Sequence, residues 1–238
     1  MRFTIERQVL LSAIQHLLSI VPAKNIAPIL TCFLIEADAD EGTLKITATD
    51  LEITVITKVL ANVSESGKLA VNARNLTDII NSLEDKPINF QQEDDYIKIR
   101  CSNSRFSLWS VEHSQFPQVP ELPAEDSSMK FSAQTFSKMV NIASIAVLTE
   151  LTRPIFTGIL WRIFPDKQLM VSTDGKKIVE VTKEQPFGIE SSIEHVIPTK
   201  GLYFLEKIIN EKDKEVMVNF EANRITFIYA NFVIISQV

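Results

Sequence analysis

The sequence repeats itself at a nearly constant offset. Phe3 returns as Phe131, Pro28-Ile29 as Pro154-Ile155, Thr49-Asp50 as Thr173-Asp174, Val71 as Ile197, Leu76 as Leu202, Ile79 as Leu205 and Ile97 as Ile225, with every shift between 124 and 128 residues. Seven ordered landmarks at one spacing mark a tandem duplication, so whatever one half folds into the other must also fold into.

The first copy opens on alternation, with Phe3 and Ile5 set against Thr4 and Glu6. A helical pattern follows over 7–19, with Leu10, Leu11, Ile14, Leu17 and Leu18 on one face. Apolar, partly alternating runs at 28–36, 43–48 and 52–60 read as strands, giving the order βαβββ. From Gly67 the same order begins again. A strand over 68–71 leads into a helix over 73–83 whose apolar face is Leu76, Ile79, Ile80 and Leu83, and strands follow at 87–91, 96–101 and 105–110. Three prolines with acidic neighbours over 116–126 read as an extended linker, which sets the domains at 1–123 and 124–238. Helices over 132–148 and 199–212 serve the second copy. Each domain is thus a doubled βαβββ unit. One helix to every three or four alternating strands requires antiparallel sheets with one face on the helices, so the fold class is α+β, two helices per domain packing on antiparallel sheets.

The two cysteines, Cys32 and Cys101, lie far apart inside apolar runs, which excludes a disulfide scaffold and fits a reducing, cytoplasmic setting. No run approaches the roughly 20 apolar residues of a membrane helix, and no signal peptide opens the chain. Catalysis has little to stand on: His16, His113 and His195 are scattered without ligand spacing, no phosphate-binding or nucleophile motif occurs, and the acidic stretch after Ala37 lacks a first calcium ligand. No metal or cofactor is expected. A net charge of −6 argues against a tail-driven nucleic-acid binder. The charge is nonetheless uneven. Over the four helical patterns, taking the first from residue 6, six basic residues (Arg7, Arg74, Lys138, Lys200, Lys207, Lys212) face four acidic ones (Glu6, Asp78, Glu206, Glu211), so the helices sum to +2 and the remainder to −8. A weakly basic helical side suits sequence-independent attraction to phosphates.

Several segments, in order, look like landmarks of one family: Phe3-Thr4-Ile5-Glu6-Arg7, Pro28-Ile29-Leu30, Ala48-Thr49-Asp50-Leu51-Glu52, Ser104-Arg105-Phe106-Ser107-Leu108, Gln115-Phe116-Pro117, Thr152-Arg153-Pro154, Thr173-Asp174-Gly175 and Ile197-Pro198-Thr199-Lys200-Gly201. Together they make the chain resemble the bacterial DNA polymerase III beta subunit, the replication sliding clamp. The resemblance implies tandem DNA-clamp domains in a ring of six, three per chain in a head-to-tail dimer, with helices lining the hole. Such a ring encircles duplex DNA, slides without sequence preference and, as a non-catalytic processivity factor, tethers the DNA polymerase III catalytic subunit. Carried over by position, DNA contact falls on Lys24, on Arg74 and on the loop Glu150, Arg153, Pro154 and Ile155. This last spot departs from the family, because Glu150 is acidic and Pro154-Ile155 replaces an aromatic pair. Arg153, at a repeat-matched strand start, serves equally well as a structural ion-pair partner. The pocket that takes short peptides from the polymerase and the clamp loader maps onto Phe156, Thr173, Gly175, Lys176, Lys177 and Ile178. The alternative reading makes Thr173-Asp174-Gly175 a plain turn. Two repeats account for the 238 residues, leaving the family's third domain without a counterpart. A truncated clamp is therefore expected. A ring of three two-domain chains and a peptide-binding module that never encircles DNA are the alternatives.

Overall fold

The computed structural model describes residues 1–23, 27–122, 128–150, 153–210 and 214–238. Two compact units emerge, Met1–Pro120 with Asn231–Val233, and Glu121–Ala230 with Ile234–Val238.

The first unit runs β1 (Arg2–Glu6), α1 (Arg7–Leu17), β2 (Cys32–Asp38), β3 (Thr43–Thr49), β4 (Ile53–Leu60), β5 (Asn62–Glu65), β6 (Gly67–Asn72), α2 (Ala73–Ser82), β7 (Pro87–Glu93), β8 (Tyr96–Cys101) and β9 (Ser104–Val111). Its strands lie in the order β4-β3-β2-β6-β9-β8-β7-β1-β5. The second unit runs β10 (Met129–Ser132), α3 (Ala133–Ala143), β11 (Gly158–Ile163), β12 (Lys167–Thr173), β13 (Ile178–Glu184), β14 (Ile193–Pro198), α4 (Thr199–Ile208), β15 (Glu215–Phe220), β16 (Arg224–Tyr229) and β17 (Phe232–Gln237). Here the orders are β13-β12-β11-β14 and β10-β15-β16-β17. The duplication is therefore visible in the topology: β4-β3-β2-β6 corresponds to β13-β12-β11-β14, and β1-β7-β8-β9 to β10-β15-β16-β17. Pairing is antiparallel throughout β4-β3-β2-β6, β9-β8-β7-β1, β13-β12-β11-β14 and β10-β15-β16.

The strand before each helix makes its longer ladder with the other half of its unit, β6 touching its own half only where Ala70 and Val71 meet Val111 and Ser110 of β9. Thus β1 joins β7, and β6 joins β2, so the halves of the unit exchange their first strands. Helix α1 buries Leu10, Leu11, Ile14 and Leu17 along one stripe. In the first core Phe3 stacks on Phe90 with ring centroids 4.6 Å apart. In the second, fully buried Trp161 touches Phe131 at 4.8 Å and Phe136 at 5.3 Å, and its indole N–H donates to Gln168 Oε1 at 3.2 Å, so the buried polar atoms satisfy each other.

The structure differs from the sequence reading in five places. The runs after Pro28 and Pro154 start as 3-10 turns, Pro28–Thr31 and Pro154–Thr157, before β2 and β11 begin. Proline offers no N–H to a ladder, and the Thr31 and Thr157 hydroxyls donate to the proline carbonyls at 2.6 and 2.7 Å, closing both turns the same way. Strand β5 was not expected. Only Val63 of its four residues is buried, so it leaves no readable period. The pattern over 132–148 forms α-helix only to Ala143 and then tightens into a 3-10 turn, Ser144–Ala146, with the Ser144 hydroxyl bonded to the Val140 carbonyl at 2.7 Å. Helix α4 stops at Ile208, short of the expected 212, and residues 211–213 lie outside the described residues. Phe116, read as the start of an open linker, is instead buried in the first unit.

Candidate functional site

The repeated Thr-Asp pair builds the same turn twice. In the second unit the Thr173 hydroxyl donates to the Lys177 carbonyl at 2.7 Å and accepts the Gly175 N–H at 3.1 Å. Asp174 Oδ1 accepts the N–H groups of Lys176 and Lys177 at 2.9 and 3.0 Å. These donors from Lys177 and Lys176 hold the Asp174 carboxyl below its ordinary value, so it is anionic at neutral pH. In the first unit Thr49, Asp50, Leu51, Glu52 and Ile53 repeat the pattern bond for bond. The turn is thus a scaffold shared by both copies, and what differs is the side chains it carries.

In the second copy those side chains gather. Gly175 sits at φ +87°, and the place a Cβ would occupy lies 3.6 Å from an Arg153 nitrogen and 3.9 Å from the Phe156 ring. The Arg153 guanidinium lies 5.9 Å from the Phe156 ring centroid, and Arg153 makes no ion pair among the described residues. Ile155 and Ile178 are 66% and 69% exposed, unusual for isoleucine, while Phe156 is half-buried. Lys176 and Lys177 are exposed at the same turn, Lys177 standing 3.8 Å from Asp174. Arg153 and Phe156 therefore meet the turn of Gly175, Lys176 and Lys177 at the start of edge strand β13, and exposed Ile155 is the chain neighbour of Phe156. Arg153, assigned from sequence to DNA contact, sits with this group.

The remaining predicted residues are Arg74, Lys24, Glu150 and Pro154. Arg74 is exposed on the first turn of α2 and has no ion-pair partner among the described residues, whereas Lys24 lies outside them. Glu150 and Pro154 are exposed, and Leu151 and Thr152 between them are also outside. Arg7, counted among the basic helical residues, is committed elsewhere: its guanidinium donates to the Ile80 and Asn81 carbonyls at 2.9 and 3.0 Å and so caps the end of α2. Within the observed helices five basic residues face two acidic ones, so the helices carry +3 and the rest of the chain −9. Among the described residues no cluster of His, Cys, Asp or Glu could hold a metal ion, and no helix is long and apolar enough to cross a membrane. Both cysteines are buried free thiols, and burial pushes the Cys32 thiol up, away from reactivity.

Two family patterns cover nearly the whole chain. That of the DNA polymerase III beta subunit N-terminal domain matches residues 1–120, and that of the central domain matches residues 130–238. The chain belongs to the DNA polymerase III beta subunit family. The beta sliding clamp of Staphylococcus aureus is 26% identical over 246 aligned positions, which take in 100% of this chain and 64% of that protein. Its counterpart from Staphylococcus epidermidis is 27% identical with the same coverage. Among solved structures, a Pseudomonas aeruginosa DNA polymerase III beta subunit superposes with a TM-score of 0.92 at 26% identity, again over 100% of this chain and 64% of that one. The Bacillus subtilis clamp reaches 0.92 at 22% identity with the same coverage, a likeness of fold alone. The chain thus spans about two-thirds of the length of the beta subunits it matches, 64% in each case.

Proposed function

We propose that this chain supplies two domains of a replication processivity clamp, a ring that encircles duplex DNA, slides without sequence preference and tethers the replicative polymerase. The observation that carries this reading is the match of both units, in order, to the first two domains of the beta subunit family. The task is mechanical. A tether turns each re-binding of the polymerase into an intramolecular event at an effective concentration on the order of millimolar. The chain makes and breaks no bond, and serves in the cytoplasm as an accessory to a nucleotidyltransferase.

Two surfaces divide the work. The helices, with a charge of +3 and exposed Arg74, face phosphates, Lys24 adding to them by family position. Weak contacts of this kind hold DNA without reading bases, as sliding requires. The surface of Phe156, Ile155, Ile178 and Gly175 takes short peptides from the polymerase catalytic subunit and the clamp loader. Its chemistry fits a segment with apolar side chains and one acidic residue: exposed isoleucines supply the floor, Gly175 admits backbone closely, and Arg153, Lys176 and Lys177 outweigh Asp174.

The ring is tested by topology. After loading on nicked circular DNA, protein held on the circle and lost on linearisation is the expected result, and equal loss from both forms overturns it. A second reading has its own support, since all six peptide-pocket residues lie in the second unit and docking there needs no ring. Under that reading, peptide binding weakened by Phe156→Ala persists with no dependence on DNA ends.

A further inference from the structure

Register matches the outward faces of the two units position by position. In the first, Leu34 on β2 is opposite Thr47 on β3 and Ala70 on β6. In the second, Leu160 on β11 is opposite Val171 on β12 and Val196 on β14, the same places in the repeat. The next row is Glu36 between Lys45 and Lys68 in the first unit, and Arg162 between Leu169 and Glu194 in the second. Three positions of the second unit are larger or more apolar than their counterparts: Val171 for Thr47, Val196 for Ala70 and Leu169 for Lys45.

Burial runs the other way. Leu34, Thr47 and Ala70 are 7%, 0% and 0% exposed. Leu160, Leu169, Val171 and Val196 are only half-buried, although Trp161 and Met170 on the other face of the same strands are closed off from solvent. Against the first face stands the chain that follows β9. A 3-10 turn at His113–Gln115 leads into buried Phe116, and Phe116, Pro117 and Val119 line one crevice of about 290 Å³ with Leu34, Lys45 and Lys68. A solvated antiparallel face ordinarily carries polar side chains, so a contiguous aliphatic area implies a cover. At the repeat's offset of 124 to 128, the counterpart of Phe116 falls beyond Val238.

We infer that the outward face of β11, β12 and β14 is the docking site of an extended Phe-Pro segment, the connector of a third clamp unit. The identity of that unit rests on the clamp reading, and the chemistry of the segment rests on the repeat. A phenylalanine ring covers Leu160, Val171 and Val196, and the proline after it lies flat on the sheet. Its missing N–H costs nothing there, because a strap across a sheet face, unlike an edge strand, makes no ladder bonds. Proline also holds the segment extended before it docks, which lowers the entropy lost on binding. Glu180, exposed on β13 opposite Val171, bounds the aliphatic area where the first unit has buried Ile56 opposite Thr47. The strap therefore crosses three strands and stops short of the fourth. A second copy of this chain fits less well, since its own Phe-Pro segment is already seated on its first unit.

NMR titration of the 238-residue chain with a synthetic peptide copying residues 112–120 tests it. A segment joined to the chain docks at an effective concentration on the order of millimolar, so the titration runs to about 5 mM peptide. Saturating shifts confined to the amides of β11, β12 and β14 are the expected result. The peptide with alanine in place of its phenylalanine is expected to bind at least about tenfold more weakly, and so is the parent peptide to the V171S/V196S variant. Should that variant fail to fold, the alanine peptide against the parent chain reads the same contact. Absence of shifts at about 5 mM overturns the inference. Shifts centred on Phe156 and the Thr173–Lys177 turn overturn it in favour of the surface proposed for polymerase segments, and shifts on the first unit overturn it in favour of exchange with the strap already there. A mass in light scattering that rises with concentration in the parent but not in V171S/V196S gives the face to a second copy and overturns it too. Loss of retention on circular DNA with peptide binding intact leaves this site standing and counts against the clamp reading.

Discussion

Leu51 occupies a backbone conformation that suits glycine. Its φ is +81°, it is 60% exposed, and its repeat counterpart Gly175 adopts φ +87°. A side chain in this region costs about 1–2 kcal/mol, and little packing offsets it here. Leu51→Gly should therefore raise stability by about 1 kcal/mol, read as a higher urea midpoint at constant slope. Glu36 gives a pH dependence. It stands between Lys45 and Lys68 at 2.7 and 2.5 Å, directly opposite each across the strands. Burial alone would push the Glu36 carboxyl up, but the hydrogen bonds and charges of the two lysines outweigh it and hold the group below its ordinary value of 4.5. The native state thus binds the proton less readily than the unfolded state. The stabilisation is fully present above the ordinary value and is lost as pH falls through the lower native one. An acid titration followed by urea unfolding should show Glu36→Gln less stable than the parent at pH 6, with the gap closing as pH falls below the ordinary carboxylate value.

Capping separates the four helices. Asn72 accepts the Asn75 N–H at 3.0 Å at the start of α2, Ser132 accepts the Thr135 N–H at 3.4 Å on α3, and Pro198 offers α4 no such bond. Asn72→Ala should cost about 1 kcal/mol in urea unfolding, and a loss below about 0.3 kcal/mol would show that tertiary packing alone holds the helix start. Helix faces and strand alternation were legible because Leu10, Ile14 and Leu17, or Phe3 and Ile5, obey the periods of 3.6 and 2 in which side chains share a face. The exchange of β1 and β6 between half-units was not. Partner choice depends on which apolar faces meet in space, and both halves present the same pattern. The surface proposed to take peptides was legible only in part. Thr173, Gly175 and the lysines come from one turn, but the approach of Arg153 to Gly175 joins segments some 20 residues apart. On the outward face of the second unit, Val171 and Val196 come from distant segments, and only register sets Leu160 between them.

At the level of the molecule, charge decides what duplex binding can look like. A total of −6 with +3 on the helices permits a few phosphate contacts and no more. For two to four of them, duplex affinity should fall with salt at a log–log slope of about −2 to −4, the same for unrelated sequences. A steeper slope, or one that varies with sequence, would count against a sliding mode. Light scattering over a wide concentration range measures how many copies assemble. By the family's geometry, three two-domain chains are the number that completes six domains, and a trimer would make the circular-DNA test decisive for this chain. The duplication, the α+β class and the family landmarks were determined by the sequence alone, since period, repeat and motif are local properties preserved wherever the chain goes. Strand exchange, the joining of Arg153 to the Thr173–Lys177 turn and the alignment of Leu160 with Val171 and Val196 were decided only by the tertiary structure. Each of these depends on which distant strands pair and in what register, a choice made by the burial of complementary faces rather than by any residue's own preference.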